Sequence, residues 1–266
     1  MNIIVCIKQI IDPEMPPAKF KVDSQAKKVI PPESIPLKVS PFDAQAVEAA
    51  LRIKEKQSAT ITALTVGQAT ASEAIKHVLS MGVDEGIILS DAAFEGSDVF
   101  GTAYILSQAI RKIGNYHLIL CGRQAADWDM GVVGSALAEY LGIPVVTLAR
   151  KVEASGANLR VERVIPDGHE VAEVALPVVV TVSSELGQPR LPSGKGIIMA
   201  ARKKVPIWSA KDIECDLSRV GAGAARSDLM ALFIPLQKRR GEMVNGENAA
   251  DAAAKLVLRL REEKAI

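Results

Sequence analysis

Residues 118–144, LILCGRQAADWDMGVVGSALAEYLGIP, carry the chain's clearest chemical signal. An apolar run, Leu118 to Cys121, reads as a buried strand. A polar turn follows, from Gly122 through Arg123, Gln124 and Asp127 to Asp129. A small-residue segment, Met130 to Ala136, then leads into an amphipathic helix that ends near Gly142 and Pro144. A strand that runs through a loop into a helix N-terminus can hold an anion, because free backbone N–H groups and the positive end of the helix dipole point at it. Asp129 is placed to cap this helix, and Gly131 and Gly134 let a ligand or a strand come close. The same pattern also fits an ordinary strand–loop–helix crossover with nothing bound.

Residues that could break or form bonds are not arranged to do so. Gly221-Ala222-Gly223-Ala224-Ala225-Arg226 misses the dinucleotide fingerprint, with arginine in sixth place and no apolar strand ahead. The segment from Gly187 to Lys195 has the wrong spacing for a phosphate loop, and Gly196 replaces the hydroxyl residue that would hold magnesium. His77, His117 and His169 fall in different elements, so no metal site is expected. No G-x-S-x-G elbow is present, and Ser183-Ser184-Glu185 has no histidine partner in view. The site residues therefore point to binding, with no catalytic set.

Composition agrees with a binding module. The net charge of +1 gives no reason to expect nucleic acid or an anionic membrane, and 4% aromatics leaves few stacking platforms. Cys6, Cys121 and Cys215 form no C-x-x-C pair and read as reduced thiols of a cytoplasmic protein. The start, Met1-Asn2-Ile3-Ile4-Val5, enters a strand directly and shows no secretion signal. No apolar run reaches the length of a membrane span, so no membrane insertion is expected.

The elements that must position these residues alternate. Residues 2–7, 60–66, 86–90 and 117–121 read as short apolar strands, with 145–148 continuing as strand. Between them lie helical segments near 41–57, 71–81 and 98–113. Ser40 fits an N-cap, Pro41 the first helical position, and Asp43 the third position of a capping box. Residues 11–40 are irregular, with a small hairpin at 22–30. This order predicts an α/β fold with a doubly wound, mostly parallel sheet, whose ligands bind at the carboxyl ends of strands.

From Leu159 the pattern changes. Residues 159–164 and 170–174 alternate about an Asp167-Gly168 turn, an added antiparallel hairpin. Residues 177–182 are another buried strand, 183–196 a loop, and 197–204 a short helix. Residues 1–204 read as the main domain. Residues 205–266 read as an extended arm, with a Gln237-Lys238-Arg239-Arg240 charge run and a terminal helix over 248–263.

Several separated motifs resemble one family, the β subunit of electron transfer flavoproteins. They are Val39-Ser40-Pro41-Phe42-Asp43, Gly122-Arg123-Gln124-Ala125, Asp129, Gly134, Pro189-Arg190, the run from Gly196 to Lys204, and Arg240-Gly241-Glu242 with the final helix. The resemblance spans the chain in order. It implies an adenine-nucleotide α-hydrolase-like domain in a heterodimer with an α subunit that carries most contacts to a redox-active FAD, with acyl-CoA-type dehydrogenases as donors and a quinone reductase or other acceptor. It places AMP on Cys6, Ser40, Pro41, Phe42, Asp43, Val66 and the stretch Gly122, Arg123, Gln124, Ala125, Asp127, Asp129, Met130, Gly131, Val132 and Val133. The adenine would face main-chain groups of Cys6 and Val66, and the phosphate the amides of Met130 to Val133. It also implies that residues 184–196 dock a partner dehydrogenase, through Leu186, Pro189, Arg190, Leu191, Gly194, Lys195 and Ile197.

Two departures leave alternatives open. The segment Met130-Gly131-Val132-Val133 is small and apolar where the family pattern is polar, and Val133 resembles electron-bifurcating members, in which a second FAD replaces AMP and NADH is the donor. Gly194 stands near the family's leucine anchor, so Leu191 or Ile197 would substitute. An ATP-using enzyme of the same fold is a competing class, but it expects S-G-G-x-D-S where this chain has Lys8-Gln9-Ile10-Ile11-Asp12. A stand-alone nucleotide sensor is a third.

Overall fold

The computed structural model describes residues 1–235 and 241–266; the 237–240 charge run and Arg240 of the Arg240-Gly241-Glu242 motif lie outside them. The first half contains β1 (Asn2–Cys6), β2 (Gln9–Ile10), β3 (Lys21–Asp23), β4 (Lys28–Ile30), β5 (Lys38–Val39), α1 (Pro41–Lys56), β6 (Thr60–Val66), α2 (Ser72–Met81), β7 (Glu85–Leu89), α3 (Val99–Ile113) and β8 (Leu118–Gly122). The second half contains α4 (Val133–Leu141), β9 (Val145–Ser155), β10 (Asn158–Ile165), β11 (Gly168–Ala175), β12 (Val178–Val182), α5 (Gly194–Arg202), β13 (Ile207–Trp208) and α6 (Ala249–Glu262).

The described residues build a nine-stranded sheet in the order β11-β10-β9-β12-β8-β1-β6-β7-β13. Every pair is parallel except β9 with β10 and β10 with β11. The central strands are apolar on both faces because helices cover both. Along β1, Ile3 and Val5 join a core beneath α1 and α2, while Ile4 and Cys6 join a core beneath α3 and α4. All five residues of β8 and of β12 are buried. The chain steps from β1 to β6 and β7 in one direction, then returns to β8 on the other side of β1. The strand order therefore reverses between β1 and β8, which is where such sheets open a crevice.

Several expectations shift. The strand at 145–148 continues to Ser155, and its outer part carries the hairpin made by β10 and β11. The helix expected at 197–204 runs Gly194–Arg202, because Ser193 caps it by accepting from the Gly196 N–H at 3.0 Å. The segment 205–225 is anchored to the body. Ile207 and Trp208 add a parallel strand beside β7, and Ala210, Ile213 and Val220 are buried in the α3 core. Short antiparallel pairing of β2 with β5 was not apparent from the sequence. The terminal helix forms, with the Asn248 side chain accepting from the Asp251 N–H, and none of its residues is buried.

One carboxylate ties the start of α3 to the arm. Asp98 Oδ1 accepts from the N–H groups of Phe100 and Gly101 at 3.0 Å each, and Oδ2 accepts from the Arg226 N–H at 2.7 Å. Burial opposes its charge, but the amides of Gly101, Arg226 and Phe100 outweigh it and hold the carboxyl below its ordinary range. Asp98→Ala should cost about 1–2 kcal/mol at neutral pH, the usual loss for a helix cap. A depressed folded-state value stabilises above the unfolded value and fades as pH falls, so the deficit against wild type should close below about pH 4. Melting temperatures between pH 3 and 7, with tryptic cleavage after Arg226 at neutral pH, check both effects.

Candidate functional site

The crevice is built around Asp43. It sits in the first turn of α1, 6% exposed, and its two oxygens accept from different strand ends. Oδ2 takes the Lys8 N–H at 2.8 Å, just beyond β1, and Oδ1 takes the Gly122 N–H at 3.0 Å, the last residue of β8. The expected capping box is therefore not formed. Asp43 is turned to the strand ends, and Ser40 makes no side-chain cap. The fully buried Ser40 instead donates its N–H to the Lys8 carbonyl at 2.9 Å and accepts from the Ala126 N–H through Oγ at 3.4 Å. Gly122 is required by this junction: a Cβ there would lie 2.5 Å from Asp43 Oδ1 and 2.8 Å from the Phe42 carbonyl carbon.

The loop after β8 folds back over α1. Arg123 donates its N–H to the Val182 carbonyl at 2.8 Å, and its guanidinium lies 5.3 Å from the Phe42 ring centroid. Gln124 Nε2 donates to Asp129 Oδ1 at 2.7 Å, and the Asp129 N–H donates to the Ala125 carbonyl at 2.9 Å. Lys8 Nζ pairs with Asp127 Oδ2 at 2.7 Å and so closes one side of the crevice. Sequence reasoning missed Lys8 as a site residue. Its signal was its place as the first charge after the apolar β1 run.

Asp129 does not cap α4. Its φ is +50°, Gly131 continues the turn at +64°, and the helix begins only at Val133. No side chain caps this helix, and its first internal bond runs from the Ala136 N–H to the Val132 carbonyl at 3.0 Å. The amides of Met130, Gly131, Val132 and Val133 lie ahead of that bond, at the positive end of the helix, in an exposed to half-buried turn. Such an arrangement could hold an anion. Gly134 serves the strand and not the crevice, since a Cβ there would meet Thr181 Cγ2 at 2.5 Å.

Cys6 and Cys121 are register partners on adjacent strands and both are buried. Hydrogen bonding with Cys6, then burial, pushes the Cys121 thiol well up, so it stays protonated. Val66 ends β6 half-buried at the same rim, without a side-chain tie to the loop. Exposed Trp128 and Met130 flank the amide turn. Among the described residues no group of His, Cys, Asp or Glu is placed to hold a metal. Of the expected docking residues, Leu191 and Ile197 expose apolar side chains, Leu191 at 87%, with Ile198 and Met199 exposed beside them. Leu186 is buried in the core, so its side chain does not belong to any exposed docking face.

Burial pushes the Asp43 carboxyl up to about 7, against the two amide bonds from Lys8 and Gly122. A folded value above the unfolded one stabilises at low pH and is lost as pH rises through the folded value. Asp43→Asn cannot accept from both amides without turning an NH₂ group on one of them. It should be less stable than wild type by about 1–3 kcal/mol near pH 5. The gap should narrow between about pH 4 and 7 and stay level above, because over that range the unfolded wild type ionises while its buried carboxyl resists doing so. Urea unfolding across that range reads the sign.

Residues 29–213 match the family model described as the electron transfer flavoprotein domain. The chain is 41% identical to "Electron transfer flavoprotein subunit beta" of Thermoanaerobacterium thermosaccharolyticum, over all of both chains. It is 37% identical to "Caffeyl-CoA reductase-Etf complex subunit CarD" of Acetobacterium woodii, again over all of both. It is 34% identical to the β subunit of Mycobacterium tuberculosis over 92% of this chain and 93% of that one. With a matched domain, full-length relatives and the strand-end crevice in agreement, the chain belongs to the electron transfer flavoprotein β-subunit family.

Proposed function

We propose that this chain is the nucleotide-holding half of a heterodimer with an electron transfer flavoprotein α subunit, and that AMP lies across the carboxyl ends of β1, β6 and β8. The observation that carries this reading is the uncapped amide turn at Met130–Val133, set where the strand order reverses. The chain's residues fit the group. A phosphate would accept from those four amides, and adenine would face the main chain of Cys6 and Val66. Gly122, Ser40 and Asp43 tie the two walls together.

FAD shared with the α subunit supplies the electron transfer, and the protein's task is to position it. This chain's own residues bind the nucleotide, brace the flavin half with α6, and present residues 184–196 to a donor dehydrogenase. Among the described residues no helix is long and apolar enough to cross a membrane.

A second reading has its own support. Trp128 and Met130 expose apolar surface beside the amide turn, and Val132 and Val133 are half-buried in it. A second FAD, whose adenine half makes the same contacts, would use that surface, with NADH as donor. The name of the Acetobacterium woodii relative places it in a reductase–Etf complex. An ATP-using enzyme is disfavoured because Gln9 and Ile10 are held as a strand against β5 and cannot wrap a pyrophosphate.

Co-expression with the α subunit, followed by denaturation and nucleotide identification, tests these readings. One FAD and one AMP per heterodimer is expected. Two FADs would establish the second reading. A colourless preparation without a dimer overturns both.

A further inference from the structure

Helix α1 does more than build the crevice. Gln45, Glu48, Arg52 and Glu55 recur every three or four residues, which puts them in one stripe along the helix. That stripe grips the chain between Ser184 and Arg190. Gln45 Nε2 donates to the carbonyls of Ser184 and Gly187 at 3.4 Å each, and Arg52 Nη1 donates to the Leu186 carbonyl at 3.1 Å.

Glu48 is the centre of the grip, 5% exposed. Its Oε2 accepts from the Arg190 N–H at 3.1 Å and from Arg190 Nε at 2.8 Å. Its Oε1 accepts from Arg190 Nη2 at 3.2 Å and from Arg52 Nε at 2.8 Å. Glu55 takes the remaining arm of the fork, Arg190 Nη1, at 2.6 Å. Burial raises the cost of charge on Glu48, but Arg190 and Arg52 outweigh it and keep the carboxylate ionised. Leu191, the most exposed large apolar residue of this segment, follows Arg190 directly.

The first turn of the same helix is one wall of the crevice, through Ser40 and Asp43. A second link runs alongside: Arg123, from the crevice loop, donates to the Val182 carbonyl at 2.8 Å and reaches Ser183 Oγ at 3.5 Å. Anything that restrains the crevice therefore restrains α1 and Arg123, and both bear on residues 183–190. We propose that α1 is a strut through which a nucleotide in the crevice sets the order of the 184–191 segment, with Glu48 as the positioning residue that grips it. The proposal rests on the nucleotide reading above. It makes the nucleotide a regulator of how Leu191 is presented, in addition to a filler of space.

The test is hydrogen exchange on the heterodimer with its α subunit, stripped of nucleotide and then reloaded with AMP. Peptides covering 186–191 should exchange about tenfold more slowly when AMP is bound, the effect of one charge-assisted hydrogen bond held or released. In Glu48→Gln and, independently, Arg190→Ala, the segment should exchange fast with or without AMP while AMP still binds one per heterodimer. Equal exchange in loaded and stripped wild type overturns the coupling and leaves the nucleotide reading standing. Unchanged slow exchange in both variants overturns the role of Glu48. A wild-type heterodimer that takes up neither AMP nor FAD overturns the nucleotide reading and the coupling together.

Discussion

The structure depends on one buried carboxylate shared by two strand ends. The ladder pairs Cys6 with Cys121 near the carboxyl ends of β1 and β8, but it does not tie α1 to those ends. Asp43 does so, with one oxygen on the Lys8 amide and the other on the Gly122 amide. Taking a carboxylate out of water is costly, and two amide donors with the N-terminal field of α1 offset that cost only in part. The residual shows as an acid pushed up to about 7. The polar bracket ties α1 to both strand ends, and Gly122 admits it because any Cβ there would clash with Asp43 and Phe42.

The crevice is flanked by groups whose hydrogen-bonding capacity the fold has not used. A helix leaves its first N–H groups without internal partners, and most proteins cap them with a side chain. Helix α3 is capped by Asp98, α5 by Ser193 and α6 by Asn248. Helices α1, α2 and α4 are not, and α1 and α4 both begin at the crevice. The Lys8–Asp127 pair beside the uncapped turn leaves Lys8 charge near the place where an anion would sit.

Much of the sheet was legible in the sequence because its strands are short apolar runs bounded by glycine and its helices begin and end at recognisable signals. Residues 60–66 and the 41–56 helix fall where pattern places them. The failures are instructive. Ser40 and Asp43 have capping-box spacing, but local spacing cannot show that Lys8 and Gly122 arrive from elsewhere with free amides. Asp129 looked like a cap because acidic residues before small ones often are; the structure spends it on Gln124 in a left-handed turn. The family resemblance put Leu186 among the docking residues, and its side chain is buried in the core. Strand β13 is two residues long and exists only because β7 offers an edge. Apart from the local turn at Asp129, these misses come from long-range partners that no window of sequence contains. Alternation revealed which strand ends meet at one rim, while the residue-by-residue nucleotide site was implied by the family resemblance.

The C-terminal helix bears on why such a crevice sits in a chain that is half of something larger. Isolated helices of about 12–15 residues are marginal in water. Helix α6 has 14 residues, no buried position, and exposed Leu256, Val257 and Leu258. Its Asn248 cap and the Lys255–Asp251 and Arg259–Glu262 pairs are solvated surface contacts that add little. Those increments define where the helix starts and how it is solvated, but they do not bury its apolar side chains. The body has already covered its own sheet faces with α1 to α5 and anchored the arm as far as Arg226. What is left beyond Arg226 carries hydrophobic surface for which this body shows no buried seat. An exposed apolar face of this kind marks an interaction surface, which fits the β subunits' place in a larger complex.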